Sequence, residues 1–145
     1  MRTLRLTLAY DGTDFHGWQL QAEGRTVQGE LEAAVASMTG QRVRIAGAGR
    51  TDSGVHALGQ VASLRLETTL PAAKLRLGLD SLTPEDIAIL DVADVPPGFH
   101  ARHSARGKIY WYRVHDHPLR SPFHRRWAWH VRAPLDRAAM RAAAA

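Results

Sequence analysis

Residues 3–10 have the sequence Thr-Leu-Arg-Leu-Thr-Leu-Ala-Tyr. Apolar and polar side chains alternate along this stretch, and a period of two is typical of a β-strand. The next four residues are Asp-Gly-Thr-Asp, a composition that favours a turn. The chain is therefore expected to begin with a strand that ends at this turn.

Two helices and four more strands are predicted further along the chain. Thr26 can cap a helix that runs to about Thr39, and Gly40 is suited to end it. Pro71 can open a second helix with three leucines on one face, Leu75, Leu79 and Leu82. The remaining apolar segments predict strands over residues 42–47, 58–67, 86–93 and 107–115.

This order of elements predicts an α+β fold with a mainly antiparallel sheet and helices on one face. The first six elements match a ferredoxin-like β-α-β-β-α-β unit, which further strands would extend. The other sheet face is expected to be free, as in sheets that bind RNA. We expect one domain over residues 1–133, and residues 134–145 to start a helix of a missing C-terminal portion, because no cap or glycine ends that helix.

Composition narrows the class of protein. The 145 residues carry a formal net charge of +5, which favours a polyanionic partner because basic side chains neutralise phosphates. The chain has no cysteine, which excludes disulfides, thiolate nucleophiles and Cys-ligated zinc. No segment is long and apolar enough to span a bilayer, and we expect a cytoplasmic protein without membrane attachment.

The sharpest local feature is the segment 47–56, Gly-Ala-Gly-Arg-Thr-Asp-Ser-Gly-Val-His, between two predicted strands. Arg50 and Asp52 flank Thr51, so an extended backbone would place both side chains on one side. Asp52 is a candidate nucleophile or base that Arg50 would keep ionised. Alternatively, Asp52 caps a turn with Arg50 as its ion-pair partner. The Gly-x-x-x-x-Gly-Lys-[Ser/Thr] pattern of nucleotide hydrolysis is absent.

Basic and aromatic residues are interleaved over residues 99–132, where Asp116 is the one acid. Basic side chains follow a phosphate backbone and aromatic rings stack on unpaired bases. The alternative is a solvated edge with the aromatic rings in a core. In a strand over 107–115, Tyr110 and Trp111 would lie on opposite faces; we place Tyr110 toward the site.

Four of the histidines in this part of the chain lie close together in sequence, at positions 100, 103, 115 and 117. Their spacings can bind zinc, which would suggest a metal-dependent hydrolase. Because no cysteine or clear carboxylate partner accompanies them, we predict no metal. Histidines near RNA can stack or form hydrogen bonds instead.

Together these features resemble the TruA family of tRNA pseudouridine synthases. The resemblance spans nearly the whole chain and rests on four segments in order. They are Tyr10-Asp11-Gly12-Thr13 with Gly17-Trp18-Gln19; Gly49-Arg50-Thr51-Asp52-Ser53-Gly54-Val55-His56; Pro84-Glu85-Asp86-Ile87-Ala88; and Phe99–Ala105 with Lys108-Ile109-Tyr110-Trp111-Tyr112. The second is highly specific, although Ser53 stands where Ala is usual. Trp111 replaces a common Arg or Lys, and Asp80 a common Asn.

The resemblance implies isomerisation of uridine to pseudouridine at positions 38–40 of the tRNA anticodon arm, without cofactor or metal. Asp52 matches the catalytic aspartate, and Tyr110 matches the tyrosine that stacks on the target uracil. Arg50 matches the arginine that fills the space of the flipped nucleotide. Thr51 and His56 are expected to help bind substrate, and weaker RNA contacts are expected from Arg102, Arg106, Lys108 and Arg113.

The family also implies a homodimer with a basic cleft across both subunits. The alternative function is a non-catalytic RNA-binding module, especially for this chain without its C-terminal portion. Pure binding does not need Asp52, since a carboxylate opposes phosphate binding.

Overall fold

The structure is a computed structural model that describes residues 1–144. Its chain divides into two compact units, Met1–Arg106 and a second unit that begins at Gly107. The first unit holds a four-stranded sheet, two α-helices and a short 3-10 helix, Gly12–Asp14, and the second holds a two-stranded sheet and a short α-helix.

The first unit has the order strand, helix, strand, strand, helix, strand. Its elements are β1 Arg2–Tyr10, α1 Val27–Thr39, β2 Ala46–Gly47, β3 Ala57–Leu66, α2 Ala72–Leu82 and β4 Ile87–Val95. The strand order across the sheet is β2-β3-β1-β4, and every neighbouring pair is antiparallel. The predicted α+β fold with a ferredoxin-like unit is therefore confirmed.

The core lies between this sheet and the two helices. Leu4, Leu6 and Leu8 of β1 are at most 1% exposed. The helices bury their apolar stripes in the same cluster through Val27, Leu31 and Val35 of α1 and Leu75 and Leu79 of α2. Burial of each such side chain stabilises the fold by about 1.5–3 kcal/mol. Both helices thus cover one sheet face, as predicted.

Local signals set the ends of α1 where they were predicted. The Thr26 hydroxyl oxygen accepts a hydrogen bond from Gly29 N at 3.2 Å. Gly40 ends the helix with φ 71°, a left-handed conformation that glycine adopts without a Cβ penalty. The helix boundaries therefore follow from residues next to them in sequence.

One predicted strand of the first unit is much shorter than expected. The strand expected over 42–47 is limited to Ala46–Gly47. Ile45 N donates a 2.9 Å hydrogen bond to the Glu32 carboxylate of α1, so a side chain occupies the place of a partner strand at this residue. The second predicted helix is present, and its three leucines differ in burial: Leu75 and Leu79 are buried, whereas Leu82 is exposed because α2 ends at this residue.

The opposite sheet face is not entirely free, which corrects a further expectation. The segment after β4 lies against it, where Ala101 N donates a 3.0 Å hydrogen bond to the Ser63 hydroxyl oxygen. Ala101 is buried. Arg65 also donates a 3.3 Å hydrogen bond to Pro97 O. Part of this face is thus covered by the protein itself.

The second unit contains β5 Val114–Asp116 and β6 Trp129–Val131, which pair in parallel. Only the last two residues of the strand predicted over 107–115 lie in a strand, β5, and residues 107–113 have no regular structure. β-branched and aromatic residues favour strands because their side chains pack well on a pleated, half-buried surface. Residues 109–112 are exposed and no strand of residues 1–144 pairs with them, so their β-favouring side chains have no such surface.

The second unit ends with α3, Arg137–Ala143. The Asp136 carboxylate caps it by accepting 3.0 Å hydrogen bonds from Ala138 N and Ala139 N. A helix was predicted to start at 134–136, and α3 begins at Arg137, directly after this range. Ala145, part of the same prediction, lies outside the described residues. The assignment of 134–145 to a further portion stays a prediction.

Candidate functional site

Asp52 lies in a tight turn between β2 and β3. Its carbonyl oxygen accepts a 3.2 Å hydrogen bond from Val55 N, and Gly54 has φ 78°, which favours glycine. The Ser53 hydroxyl donates to Phe15 O at 3.1 Å, a bond that the more usual alanine could not make. The backbone of the turn is therefore fixed while the Asp52 side chain is exposed.

The start of the same loop is held by β3. Ala48 N donates to Val61 O at 2.7 Å, and the Gln60 side-chain amide donates to Gly49 O at 2.8 Å. These bonds fix the approach to Asp52 from the N-terminal side.

The segment after β1 packs directly against Thr51. Trp18 N donates to Thr51 O at 2.9 Å. Gly17 has φ 85°, and a Cβ there would lie 2.6 Å from Thr51 O, so a side chain would force the two segments apart. The indole of Trp18 lies equally close to Gly47, where a Cβ would be 2.6 Å from the ring. The segment that contains Gly17 and Trp18 therefore lies in direct contact with the segment that contains Thr51 and Asp52.

The side chain of Thr51 points into the fold. Its hydroxyl lies 2.8 Å from the hydroxyl of buried Tyr10, which is also 3.5 Å from the amide nitrogen of Gln60. Burial raises the pKa of Tyr10 above its ordinary value, and the hydrogen bonds to Thr51 and Gln60 lower it in part. Tyr10 is therefore protonated at neutral pH and braces the residue next to Asp52.

His56 ends the loop and faces the segment after β1. Its Nδ1 atom lies 3.1 Å from Gly12 N and 3.0 Å from a carboxylate oxygen of Asp11. Gly12 is buried against Val55, where a Cβ would be 2.0 Å from Val55 O. The structure thus places Thr51 and His56 at the joints that position the loop, while their roles in substrate binding stay predictions.

Arg25 joins three parts of the first unit and was missed by sequence reasoning. It makes two hydrogen bonds to the Asp86 carboxylate at 2.6 and 2.8 Å, and one to Glu30 at 2.7 Å. Its guanidinium lies 4.2 Å from the centre of the Phe15 ring. Hydrogen bonding to Asp86 raises the pKa of Arg25 most, partial burial opposes this rise, and Glu30 adds to it. Asp86 O also accepts a 2.9 Å hydrogen bond from Asp11 N. The contacts of Arg25 and Asp86 therefore support the segment after β1, which packs against the Asp52 loop.

An open cleft of about 420 Å³ lies at Asp52. Its lining consists of His16, Gln19, Gln21, Arg50, Thr51, Asp52 and Ser53, and the volume is in the range of small-ligand pockets. Arg50 and Asp52 are both exposed in it. Within residues 1–144 neither side chain has an ion-pair partner inside 4.0 Å, so the pair proposed from their spacing is not formed. The cleft thus offers one carboxylate and one guanidinium that are not paired with each other.

Sequence reasoning named Arg50, Thr51 and Asp52 for the site. It did not name the other four lining residues as site residues, which are His16, Gln19, Gln21 and Ser53. Arg102 and Arg106 are exposed near the end of the first unit. Lys108, Tyr110 and Arg113 belong to the second unit, and all three are exposed.

The histidines of residues 100–130 lie in ring-to-ring contact with one another. The centroids of His100 and His103 are 4.4 Å apart, and His115 lies 4.8–5.6 Å from three others, His117, His124 and His130. No group of three or more potential ligands among residues 1–144 is arranged to hold a metal ion. No helix in the same range is both long and apolar enough to cross a membrane.

Comparison with known proteins adds independent information. A family model described as tRNA pseudouridine synthase matches residues 7–104. The tRNA pseudouridine synthase A of Moorella thermoacetica is 47% identical over 147 residues, covering 100% of this chain and 60% of the relative. Those of Pelobacter propionicus and Geobacter sulfurreducens are 46% and 45% identical, each covering 99% of this chain and 59% of the relative. The chain thus spans about three fifths of the length of these relatives.

Proposed function

The chain belongs to the tRNA pseudouridine synthase family, and from that premise we propose that it isomerises uridine to pseudouridine in tRNA with Asp52 as the catalytic carboxylate. The observation that carries the proposal is the setting of Asp52. Its side chain is exposed in a cleft of about 420 Å³, on a turn held by the segment after β1 and by β3.

The chemistry requires a fixed carboxylate more than any other group. The bond between C1′ of the ribose and N1 of uracil breaks, the base rotates, and C1′ joins C5. The C5 proton leaves and N1 gains a proton, so atoms and charge balance without a cofactor. Attack on the sugar, addition to the base and removal of a ribose proton all need an ionised carboxylate in a defined position. The hydrogen bonds of the loop fix the backbone from which the Asp52 carboxylate extends into the cleft.

Arg50 and Tyr110 are proposed to handle the nucleotide. A base must leave its stack to be reached, at a cost of a few kcal/mol. The unpaired guanidinium of Arg50 can fill the vacated space and pair with Asp52 once RNA is present. Tyr110 is exposed and is proposed to stack on the target uracil. Weaker contacts to phosphates are proposed for Arg102, Arg106, Lys108 and Arg113.

The proposed substrate is the anticodon arm, at positions 38–40. A net charge of +5 supports a polyanionic partner. The whole protein is proposed to be a cytoplasmic homodimer whose RNA-binding cleft includes both subunits, and Thr51 and His56 are proposed to support the bound nucleotide from beneath.

RNA binding without turnover is a second candidate function for the 145-residue chain alone. The observation that favours it is the exposure of residues 109–112, which include three aromatic rings. Such rings are available to bases whether or not the site is complete.

The experiment is to map pseudouridine in anticodon-arm RNA after incubation with the chain, alone and continued to the length of its relatives. One RNA carries uridine at 38–40, and the control RNA carries uridine only elsewhere in the arm. Pseudouridine in the first RNA alone supports the proposal. Tight binding of both RNAs without pseudouridine in any sample would leave the binding module as the function.

A further inference from the structure

One wall of the cleft is formed by residues that no part of the proposed mechanism uses. His16, Gln19 and Gln21 face the cleft together with Asp52. His16 is held at both backbone groups, since its N donates to Arg25 O at 2.8 Å and its O accepts from the Gln21 side chain at 2.8 Å. The wall is therefore a closed loop with a fixed backbone.

The imidazole of His16 has its position set by Gly24. Gly24 has φ 86°, and a Cβ there would lie 2.1 Å from Nδ1 and 2.6–2.7 Å from two further ring atoms. The ring thus lies against bare backbone, in space that any side chain at position 24 would occupy. The imidazole itself is exposed and has no hydrogen-bond partner among residues 1–144.

The wall is also fixed relative to Asp52. Gly17 follows His16 and lies directly against Thr51 O, and Trp18 N donates to the same oxygen at 2.9 Å. Thr51 precedes Asp52, so only short lengths of hydrogen-bonded backbone separate the imidazole from the carboxylate. A ligand that reaches Asp52 lies within reach of His16.

The chemistry of the lining selects a nucleobase rather than a phosphate. Arg50 is the one permanent cation and Asp52 the one anion of the lining, so no excess of positive charge attracts phosphate, and the carboxylate repels it. The two glutamine amides present both donors and acceptors, as base edges do. A flat, exposed imidazole is a surface on which bases stack.

We propose that His16, with Gln19 and Gln21, forms a nucleobase-binding subsite beside Asp52, in which the His16 ring stacks on an unpaired base. The inference rests on the proposed function for the identity of the RNA. It assigns substrate contacts to residues that are 31 or more positions before Asp52 in sequence and adjacent to it in the cleft.

The test is equilibrium binding of anticodon-arm RNA to the chain, in an Asp52→Asn background that prevents turnover. Loss of one stacking contact corresponds to about 1–3 kcal/mol, so His16→Ala is expected to weaken affinity about fivefold or more. His16→Phe keeps a flat ring and is expected to stay within about twofold of the parent. Loss of less than twofold in His16→Ala, or equal losses in both variants, would overturn the stacking proposal.

Gly24→Ala displaces the His16 ring without changing residue 16 itself, and Gly40→Ala is its matched control. Both glycines have positive φ, 86° and 71°, but a Cβ at Gly40 meets nothing within 4 Å. Both variants therefore incur the backbone cost, and only the first displaces His16. Gly24→Ala is expected to weaken RNA affinity several-fold more than Gly40→Ala at equal folded fraction. Equal affinities would contradict the assigned position of the ring.

Binding and turnover separate this inference from the proposed function. If the protein with Asp52 intact forms no pseudouridine while RNA affinity in the Asp52→Asn background depends on His16 as expected, the proposed activity fails and the subsite stands. If pseudouridine forms and affinity is indifferent to His16, the subsite fails and the activity stands.

Discussion

Thr51→Val removes one oxygen from the joint that carries the Asp52 loop while keeping the shape of the side chain. In the native protein the Thr51 and Tyr10 hydroxyls lie 2.8 Å apart, and Tyr10 is 4% exposed. After the change, the Tyr10 hydroxyl keeps only the long 3.5 Å contact to Gln60. A buried polar group then lacks its main partner.

The expected cost follows from that loss. Leaving a buried hydroxyl unsatisfied costs about 1–3 kcal/mol, whereas removing both partners can be nearly neutral. We therefore expect Thr51→Val to lower the free energy of unfolding by about 1–3 kcal/mol. Tyr10→Phe removes the other partner and is expected to cost about 1 kcal/mol. The double variant should be less destabilised than the sum of the two by about 1 kcal/mol.

Urea unfolding of the four proteins, followed by circular dichroism, measures this coupling at constant m value. A second readout is the comparison of kcat with KM for anticodon-arm RNA in the longer protein. Because Thr51 acts by bracing Asp52, Thr51→Val should change kcat more than KM. The reasoning is refuted if Thr51→Val unfolds at the parent urea midpoint, or if the two changes are additive within about 0.5 kcal/mol.

Two further results are expected. Burial raises the pKa of Tyr10 above its ordinary value of 10.0, so the folded state holds the phenol proton more tightly than the unfolded chain does. The protonated Tyr10 therefore contributes its full stabilisation below about pH 10. This stabilisation is lost as pH rises through the folded pKa. The urea midpoint of Tyr10→Phe should therefore fall less steeply above pH 10 than that of the parent, and identical slopes would contradict this assignment. Tyr110→Phe should keep most of the RNA affinity, whereas Tyr110→Ala should lose about 1–3 kcal/mol of stacking; equal losses in a titration with anticodon-arm RNA would assign the role to the hydroxyl.

The fold was predictable where local signals and burial agree. Thr26 and Gly40 set the ends of α1 through contacts to nearby residues, and β1 buries its leucines in the predicted alternation. The segment 107–113 was not predictable from propensity, since its aromatic residues find no partner strand among the described residues. Ile45 shows the same limit, because a glutamate 13 positions earlier, Glu32, takes its backbone N–H.

The candidate site divides in the same way. Asp52 and Arg50 stand in one short segment, so their shared cleft was predictable. His16 and Arg25 were not, because their roles depend on docking of the segment after β1 onto Thr51 and Asp86. One departure from the family pattern is explained by the structure: the Asp80 carboxylate accepts a 2.8 Å hydrogen bond from Ile89 N, which the oxygen of an asparagine could equally accept.

The central claim is that Asp52 performs the chemistry and does not merely cap its turn. The most direct measurement compares pseudouridine formation and RNA affinity for Asp52→Asn and Asp14→Asn in the longer protein, because Asp14 is also an exposed carboxylate of the first unit. Asp52→Asn should abolish turnover with RNA affinity nearly unchanged, and Asp14→Asn should retain both. Turnover that survives in Asp52→Asn would contradict the account.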